Sequence, residues 1–252
     1  MTLLPLRQNY MNSQLELHYA AQLPGAASAL IEPRDDYSHT TLALKQGCLV
    51  SQSLPDGRRV GVHIESLQLR VGSMDAPSST LELKGRTKEE ALAWLGSELG
   101  EGVAFLGHDL PPRVDQPFEP GGGDALEAWI ALGTSVLAEA VGAFEGSPLR
   151  LWPHHFDMAT LVSLDEEASE DARSINIGLS LGDGSYGEPY WYVTPWPKPS
   201  DELPPMRAGH WHTDGFVAAV LPASEHPGDD VDGEAREFLR SAVAACRMLL
   251  TA

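Results

Sequence analysis

The sequence predicts an α+β protein, in which helices pack on a mostly antiparallel sheet. Three observations support this class: apolar residues alternate with period two in several short segments, hairpin-type turns lie near them, and long amphipathic helices follow. Strands followed by a helix occur twice, in 1–107 and again in 124–252. Two alternatives stay open for these ranges, a pair of similar halves and one integrated domain.

The N-terminal half, 1–107, opens with a predicted helix over 11–31, because Leu15, Tyr19 and Leu23 are spaced by four residues. Pro24-Gly25 is expected to kink or break this helix, since proline lacks the N–H that an interior helical position donates. Strand signals then lie on both sides of the turn Pro55-Asp56-Gly57, which predicts a hairpin.

Apolar residues alternate over 60–64 and, in the opposite phase, over 67–71. A change of phase inside one strand predicts a β-bulge near Glu65-Ser66. Leu81 and Leu83 predict a further short strand. Thr87 and Glu90 have the spacing of a capping box, which predicts a helix from this point to about Leu99.

A Pro/Gly-rich segment, 108–123, is predicted to be a linker or a functional loop before the C-terminal half, 124–252. An amphipathic helix is predicted over 124–144, and a second one ends the chain. Between them, 174–181 alternates cleanly, as a strand does. Asn176, Gly178 and Ser180 are predicted to lie on the polar face of that strand.

The chain is strongly acidic, with 36 acidic and 17 basic residues and a formal net charge of −19. Nucleic-acid and anionic-membrane binders need an excess of Lys and Arg, so neither partner is expected. The N-terminal residues do not resemble a signal peptide, and no apolar run approaches 18 residues. Cys48 and Cys246 are isolated in the sequence, which is typical of reduced thiols. We therefore expect a soluble, cytoplasmic protein.

The segment 149–216 contains four of the nine histidines and four of the six tryptophans. If 152–158 is extended, His155 and Asp157 share one face of a strand. If 210–214 is extended, His210, His212 and Asp214 share a face in the same way. The two groups are then able to meet as a cluster of imidazoles and carboxylates.

A metal site is one hypothesis, because imidazole and carboxylate ligands suit Zn²⁺ or another transition ion with an open position. Its weak candidate ligands are His155, Asp157, His210 and His212. The patterns H-x-H and H-x-D are short and match no specific metalloenzyme signature. The alternative is that these side chains only hydrogen-bond to neighbouring groups.

An acid/base pair without metal is a second hypothesis, with Asp157 orienting His155 and with Glu188 or Asp183 as a second carboxylate. A structural polar network is its alternative. A third hypothesis uses aromatic side chains: Tyr190 and Tyr192 share a strand face that lines a small-molecule pocket. A core strand with a proline-flanked edge is the alternative there.

No phosphate-binding loop, dinucleotide fingerprint or nucleophile elbow is present in the sequence, so no cofactor is assigned.

Two motifs stand in the second half, LWPxHFDxA at 151–159 and NxGxSxGDxxxxEPYxYVxPW at 176–196. With them the chain resembles an uncharacterised family of bacterial proteins of unknown function. The resemblance places His155, Asp157, Asp183 and Glu188 at family positions, and it leaves His154, His210 and His212 outside them. It therefore favours a shared site over a four-ligand metal site, and it implies no particular activity.

We expect a small-molecule-binding protein or enzyme with a His/carboxylate/aromatic pocket. The predicted catalytic residues are His155 as acid/base or ligand contact, Asp157 as its orienting carboxylate and Glu188 as a second anchor. The predicted ligand-binding residues are Asn176, Ser180, Asp183, Tyr190, Tyr192 and Trp196. The alternative is a non-catalytic structural or protein-interaction domain, with a homo-oligomer interface on the exposed face of the 124–144 helix or of the terminal helix.

Overall fold

The computed structural model of the chain describes residues 7–105, 110–111, 116–119, 121, 123–166, 172–199 and 202–251. These residues form four α-helices and two antiparallel sheets of five and six strands. The predicted α+β class is confirmed. Half of the predicted 108–123 segment, eight of its sixteen residues, lies outside the described residues.

The helices are α1 (Arg7–Ala26), α2 (Lys88–Leu99), α3 (Gly123–Phe144) and α4 (Val231–Thr251). The strands of the first sheet are β1 (Ala43–Lys45), β2 (Cys48–Val50), β3 (Arg59–His63), β4 (Gln68–Gly72) and β5 (Pro77–Glu82), paired in chain order. The later strands are β6 (Arg150–Trp152), β7 (Asp157–Ser163), β8 (Ser174–Ser180), β9 (Tyr190–Trp196), β10 (His210–His212) and β11 (Ala218–Pro222). Their order in the second sheet is β10-β11-β9-β8-β7-β6.

The contacts divide the chain into two compact units. The first unit consists of Leu6–Ala131 and Arg150–Phe156, and the second mainly of Leu132–Leu149 and Asp157–Ala252. The boundary between the units lies within α3, between Ala131 and Leu132. The stretch Arg150–Phe156, which contains β6, belongs to the first unit.

In the first unit, α1 packs on β2 and β3, and α2 packs on α1 and β5. The stretch after β6 joins this packing, because the His18 ring stacks on Phe156 with centroids 4.8 Å apart and Gln22 Nε2 donates to the Pro153 carbonyl at 2.5 Å. An isolated bridge between Leu42 and Leu151 holds the same stretch.

In the second unit, α4 packs on β8, β9 and β11. The contact of Cys246 Sγ with the Val193 carbonyl marks the sheet face that the helix covers. The C-terminal part of α3 approaches the sheet closely at Gly133, where an added methyl group would collide with Met158 and Leu179. This packing leaves the opposite face of β8 and β9 to the polar residues described below.

Helix α3 is the one helix among the described residues that is long and apolar enough to cross a membrane, judged by length and composition alone. Its most apolar window has a mean hydropathy of 1.3 and is 39% buried. Leu126, Ile130, Val136 and Leu137 are all buried. A core helix of a soluble protein passes the same test, so the observation is weak evidence for a membrane span.

Several predicted elements are confirmed. The Thr87 hydroxyl accepts from the Glu90 N–H, and the Glu90 carboxylate accepts from the Thr87 N–H, so α2 begins with a complete capping box. The predicted 124–144 helix is α3, the predicted terminal helix is α4, and the Pro55-Asp56-Gly57 turn separates antiparallel β2 and β3.

One local prediction is wrong, and of the kink or break expected at Pro24-Gly25 the break is absent. The change of phase at Glu65-Ser66 is a chain reversal between β3 and β4, because Leu67 has φ +52° and its N–H bonds back to the His63 carbonyl at 2.9 Å. Helix α1 does not break at Pro24. It runs from Arg7 to Ala26 and continues as a 3-10 turn over Ala27–Leu30.

Candidate functional site

One face of the second sheet gathers most of the predicted ligand-binding residues. Asp157, Ser180 and Tyr190 are direct neighbours across β7, β8 and β9. Gly178 and Tyr192 form the next row, and Asn176 is paired with Thr194 beyond it. Because strand side chains alternate, residues two apart point to the same side, so these rows form a single face.

Two tyrosine–carboxylate pairs lie on this face. The Tyr192 hydroxyl donates to Asp157 Oδ2 at 2.5 Å, and the Tyr190 hydroxyl donates to Asp183 Oδ2 at 2.6 Å. Asn176 and Ser180 also hydrogen-bond to the hydroxyls of Tyr192 and Tyr190, respectively. The two tyrosine rings are neighbours, with centroids 6.1 Å apart. These side chains form two hydrogen-bonded groups that meet at the two tyrosine rings, and together we call them the tyrosine network.

The room for Tyr192 is made by Gly178. A methyl group at Gly178 would overlap the Tyr192 ring and hydroxyl and would also press on the Met158 carbonyl. The glycine at this position thus lets a large ring lie flat across the neighbouring strand.

Asp183 is held by a tight turn after β8. Its Oδ1 accepts the backbone N–H groups of Ser185 at 2.7 Å and Tyr186 at 3.0 Å, and its own N–H bonds to the Tyr186 carbonyl. Gly182 has φ +109° at the start of this turn, a conformation that favours glycine. The turn leaves Asp183 exposed while one of its oxygens still reaches Tyr190.

Burial and neighbouring carboxylates keep the tyrosines protonated. Burial raises the pKa of Tyr192 well above its ordinary value, and the negative charge of Asp157 adds to this. Burial and the hydrogen bond to Asp183 raise the pKa of Tyr190 in the same direction. At neutral pH both hydroxyls are therefore donors to their carboxylates.

A second cluster lies at the outer edge of the sheet. His210 belongs to β10 and is paired with Val220, which is paired in turn with Tyr192. The Tyr186 hydroxyl is 3.0 Å from His210 Nε2 and 3.1 Å from His212 Nδ1. The Tyr186 and Tyr190 rings are 4.7 Å apart, so this cluster touches the tyrosine network. Burial and the charges of Glu225 and Asp183 raise the Tyr186 pKa.

The predicted catalytic residues have separate partners. Asp157 pairs with Tyr192, and the Glu188 carboxylate accepts from Ser224 N at 2.9 Å and Ser224 Oγ at 2.7 Å. His155 is exposed in the first unit, with its ring 4.1 Å from that of His154. The role of His155 in a shared site stays a prediction.

The premise that 152–158 is extended is wrong. Residues 153–156 form a turn between β6 and β7, because Phe156 has φ +56° and its N–H bonds to the Trp152 carbonyl at 2.8 Å. The expected alternation of His155 and Asp157 on one strand face is therefore lost. The corresponding premise for β10 holds for His210 and His212, while Asp214 lies in the following bend.

Trp196 is the one predicted binding residue that is not part of the tyrosine network. It is the last residue of β9, and it is 51% exposed. Asn176 and Thr194, which lie between Trp196 and the buried tyrosines on the same sheet face, are half-buried. The face thus changes from a buried tyrosine end to an open tryptophan end.

His18 in the first unit is a buried imidazole that sequence reasoning did not select. It is 3% exposed, its Nε2 lies 3.1 Å from the His154 carbonyl, and its Nδ1 has no partner among the described residues. Burial lowers its pKa from 6.5 to about 4. His18 is therefore neutral at physiological pH.

A groove of about 870 Å³ lies beside the turns of the first sheet. Lys45, Asp56, Arg58 and Arg59 are among its lining residues. None of the predicted site residues lines it.

The described part of the chain holds no group of three or more His, Cys, Asp or Glu residues that is suited to an ion. The four weak candidates are not one ligand set. His210 and His212 converge on Tyr186, whereas Asp157 pairs with Tyr192.

Sequence reasoning missed Tyr186 and Glu225. Tyr186 lies in the loop between the motif residues Asp183 and Glu188, and no periodicity marks it. Glu225 follows β11 and bonds to His210 through a 3.1 Å contact with Nδ1. Only the pairing of β9, β10 and β11 brings these residues together.

Comparisons with protein-family models, with curated proteins and with solved structures found no match. The resemblance described from the two sequence motifs therefore stays a prediction.

Proposed function

We propose that the second unit binds a small organic molecule at the Asp183 end of the tyrosine network, where the carboxylate is exposed. The observation that carries the proposal is the convergence of five of the six predicted ligand-binding residues, all except Trp196, with Asp157. Hydrogen bonds between the tyrosines and their carboxylates fix the geometry of the accessible groups, and such preorganisation lowers the cost of binding.

The exposed and half-buried groups around Asp183 define the chemistry of the ligand. Asp183 offers a carboxylate, and the rings of Tyr186, His212 and Phe216 offer aromatic faces, the last two with centroids 4.3 Å apart. Carboxylates accept hydrogen bonds, and aromatic faces attract cations and C–H groups. With a net charge of −19 on the chain, these groups favour an amine or a polyol and disfavour an anion.

A structural role for the buried part of the network has its own support. Tyr190 is 5% exposed and Tyr192 is 7% exposed, and each has a carboxylate and a second polar partner. We assign Tyr190, Tyr192 and Asp157 as positioning residues, and Asp183 as the residue that contacts the ligand.

The test is a thermal-shift screen with amines, polyols and carboxylic acids, followed by calorimetry on the compounds that stabilise the protein. Asp183→Asn keeps a side chain that forms the same turn and removes the charge, so we expect at least a tenfold loss of affinity for an amine. Tyr37→Phe, at a 67% exposed position of the first unit, is the control. Unchanged affinity in Asp183→Asn would overturn the proposal.

The same assay tests the predicted role of His155. If His155 acts in a shared site, His155→Gln weakens binding or removes activity while the free energy of unfolding is unchanged. Normal binding in this variant would show that the first-unit imidazole is not part of the site.

We also propose a cytoplasmic location. Its support is that Cys48 and Cys246 are both buried free thiols, as is usual for proteins in a reducing compartment. Cell fractionation with a marker enzyme for each compartment tests it, and recovery in an oxidising compartment would contradict it.

A further inference from the structure

The edge strand β10 presents two imidazoles to one point. His210 and His212 are separated by one residue, so they share a strand face. His210 Nε2 and His212 Nδ1 both lie within 3.1 Å of the Tyr186 hydroxyl oxygen. Three potential ligand atoms thus come from one strand and from the loop after β8.

The outer nitrogen of each imidazole is held by an acceptor. His210 Nδ1 is 3.1 Å from the carboxylate of Glu225, and His212 Nε2 is 2.7 Å from the carbonyl of Asp214. A carboxylate and a carbonyl only accept hydrogen bonds, so both outer nitrogens carry the hydrogen. In neutral imidazoles the two inner nitrogens then carry lone pairs.

These two lone pairs compete for one hydroxyl hydrogen. Tyr186 donates to one inner nitrogen, and its oxygen lone pairs face the other nitrogen at about the same distance. A cation between the three atoms removes this conflict. The arrangement of an imidazole whose second nitrogen donates to a carboxylate or a carbonyl is also the usual one for metal-ligating histidines.

We propose that His210, His212 and Tyr186 bind a divalent first-row transition metal ion, with Glu225 and the Asp214 carbonyl orienting the imidazoles. Two imidazoles and a phenol oxygen suit Zn²⁺, Co²⁺, Ni²⁺ or Cu²⁺ and do not suit Mg²⁺ or Ca²⁺. The Tyr186 oxygen lies 3.0–3.1 Å from each imidazole nitrogen. At an ion that is 2.0–2.1 Å from every ligand atom, each of these two oxygen–nitrogen pairs subtends roughly 95°, which is close to common coordination angles.

The surroundings leave room for further ligands. The side chains of His210 and Glu225 are 43% and 45% exposed, so water or a substrate group has access to the remaining positions of the ion. Glu188 acts at a distance, because its two bonds to Ser224 fix the turn that carries Glu225. When Tyr186 binds as phenolate, its proton is released to solvent, and both imidazoles keep their outer N–H.

The inference does not depend on the proposed small-molecule function, because its readout is metal binding. Untagged full-length protein is treated with chelator, dialysed and titrated with Zn²⁺ by calorimetry and with Co²⁺ by visible absorption. We expect one equivalent of Zn²⁺ and Co²⁺ absorption bands that are absent in His210→Gln and His212→Gln.

Variants distinguish this site from adventitious binding. His210→Gln and His212→Gln should each weaken Zn²⁺ binding at least tenfold, and Glu225→Gln should weaken it about 10- to 100-fold through the orientation of His210. His63→Gln, at a half-exposed histidine of the first unit, is the matched control. Urea unfolding of every variant confirms that it is folded.

Two results would overturn the inference. One is the absence of stoichiometric binding at 100 μM Zn²⁺ by the folded protein. The other is equal affinity in the wild type and the folded His210→Gln and His212→Gln variants.

Discussion

Of the two tyrosine–carboxylate pairs, Tyr192–Asp157 has the less exposed carboxylate, because Asp157 is half-buried and Asp183 is exposed. Tyr192→Phe removes a hydroxyl that donates to a carboxylate in a buried position, and Asp157 then loses that partner. Hydrogen bonds to charged groups contribute about 1.5–3 kcal/mol. We expect a loss of about 2 kcal/mol in the free energy of unfolding, measured by urea denaturation.

The control for this prediction is Tyr37→Phe, because Tyr37 is 67% exposed. Its unfolding free energy should change by less than about 0.5 kcal/mol. Equal stability of the two variants would show that the Tyr192 hydroxyl contributes nothing to the fold.

His18 predicts how stability depends on pH. Its pKa is about 4 in the folded protein and near 6.5 in the unfolded chain, so between these values the unfolded chain binds more protons. The contribution of neutral His18 to the free energy of unfolding is therefore fully present above pH 6.5, and it is lost as the pH falls to about 4. The difference between the two pKa values corresponds to about 3 kcal/mol of unfolding free energy.

Urea denaturation at a series of pH values measures this decrease. In His18→Gln the free energy of unfolding should depend less steeply on pH between pH 6.5 and 4, whatever the stability of the variant at pH 7. His39→Gln, at a half-exposed histidine, should keep the wild-type slope. An unchanged pH dependence in His18→Gln would mean that other titrating groups cause the loss of stability at low pH.

At the scale of single elements, Gly178 connects the strand to the site. Gly178→Ala places a methyl group against the Tyr192 ring and the Met158 carbonyl, and overpacking of this kind costs about 1–3 kcal/mol. Gly184→Ala is the control, because nothing lies within 4 Å of a methyl group there. Thermal unfolding and the near-UV circular dichroism of the tyrosines measure both effects, and identical behaviour would contradict the close contact.

Elements with local signals were predicted well. The capping box of α2 lies within four residues, and the stripes of α3 and α4 follow one helix, so the sequence contains all the information they need. The errors lie where the chain reverses. At Glu65-Ser66 and at 153–156, a residue with positive φ that is not glycine makes the turn, Leu67 and Phe156 respectively, and neither residue type indicates one.

At the scale of the whole molecule, residues with local sequence signals lie in the tyrosine network, and residues without such signals lie in the cluster at the outer edge of the sheet. The strand alternation placed Asn176, Ser180, Tyr190 and Tyr192 on common faces, and the strand pairing confirms this. Each tyrosine donates to its own carboxylate, Tyr192 to Asp157 and Tyr190 to Asp183. Tyr186 and Glu225 required the register of β9 with β11 and of β11 with β10, which no single segment contains. Non-local pairing is the information that the sequence patterns do not give.

The net charge of −19 makes a prediction for the entire chain. Like charges repel more strongly in the compact state than in the unfolded chain, so screening should stabilise the protein. Raising NaCl from 0.01 to 0.15 M shortens the Debye length from about 30 to about 8 Å. At pH 7.5, with chelator present, we expect the free energy of unfolding to rise by roughly 1 kcal/mol.

Salt also weakens attractive ion pairs, but this opposing effect is small. Exposed pairs such as Arg240–Glu237 contribute only about 0–1 kcal/mol each. Repulsion falls as the pH approaches the isoelectric point of about 4.7, so the salt effect should shrink when the same urea titrations are repeated at pH 5.5. A decrease of stability with salt at pH 7.5 would mean that attractive pairs dominate the surface. An increase of equal size at both pH values would point to a general salt effect on apolar burial instead of charge repulsion.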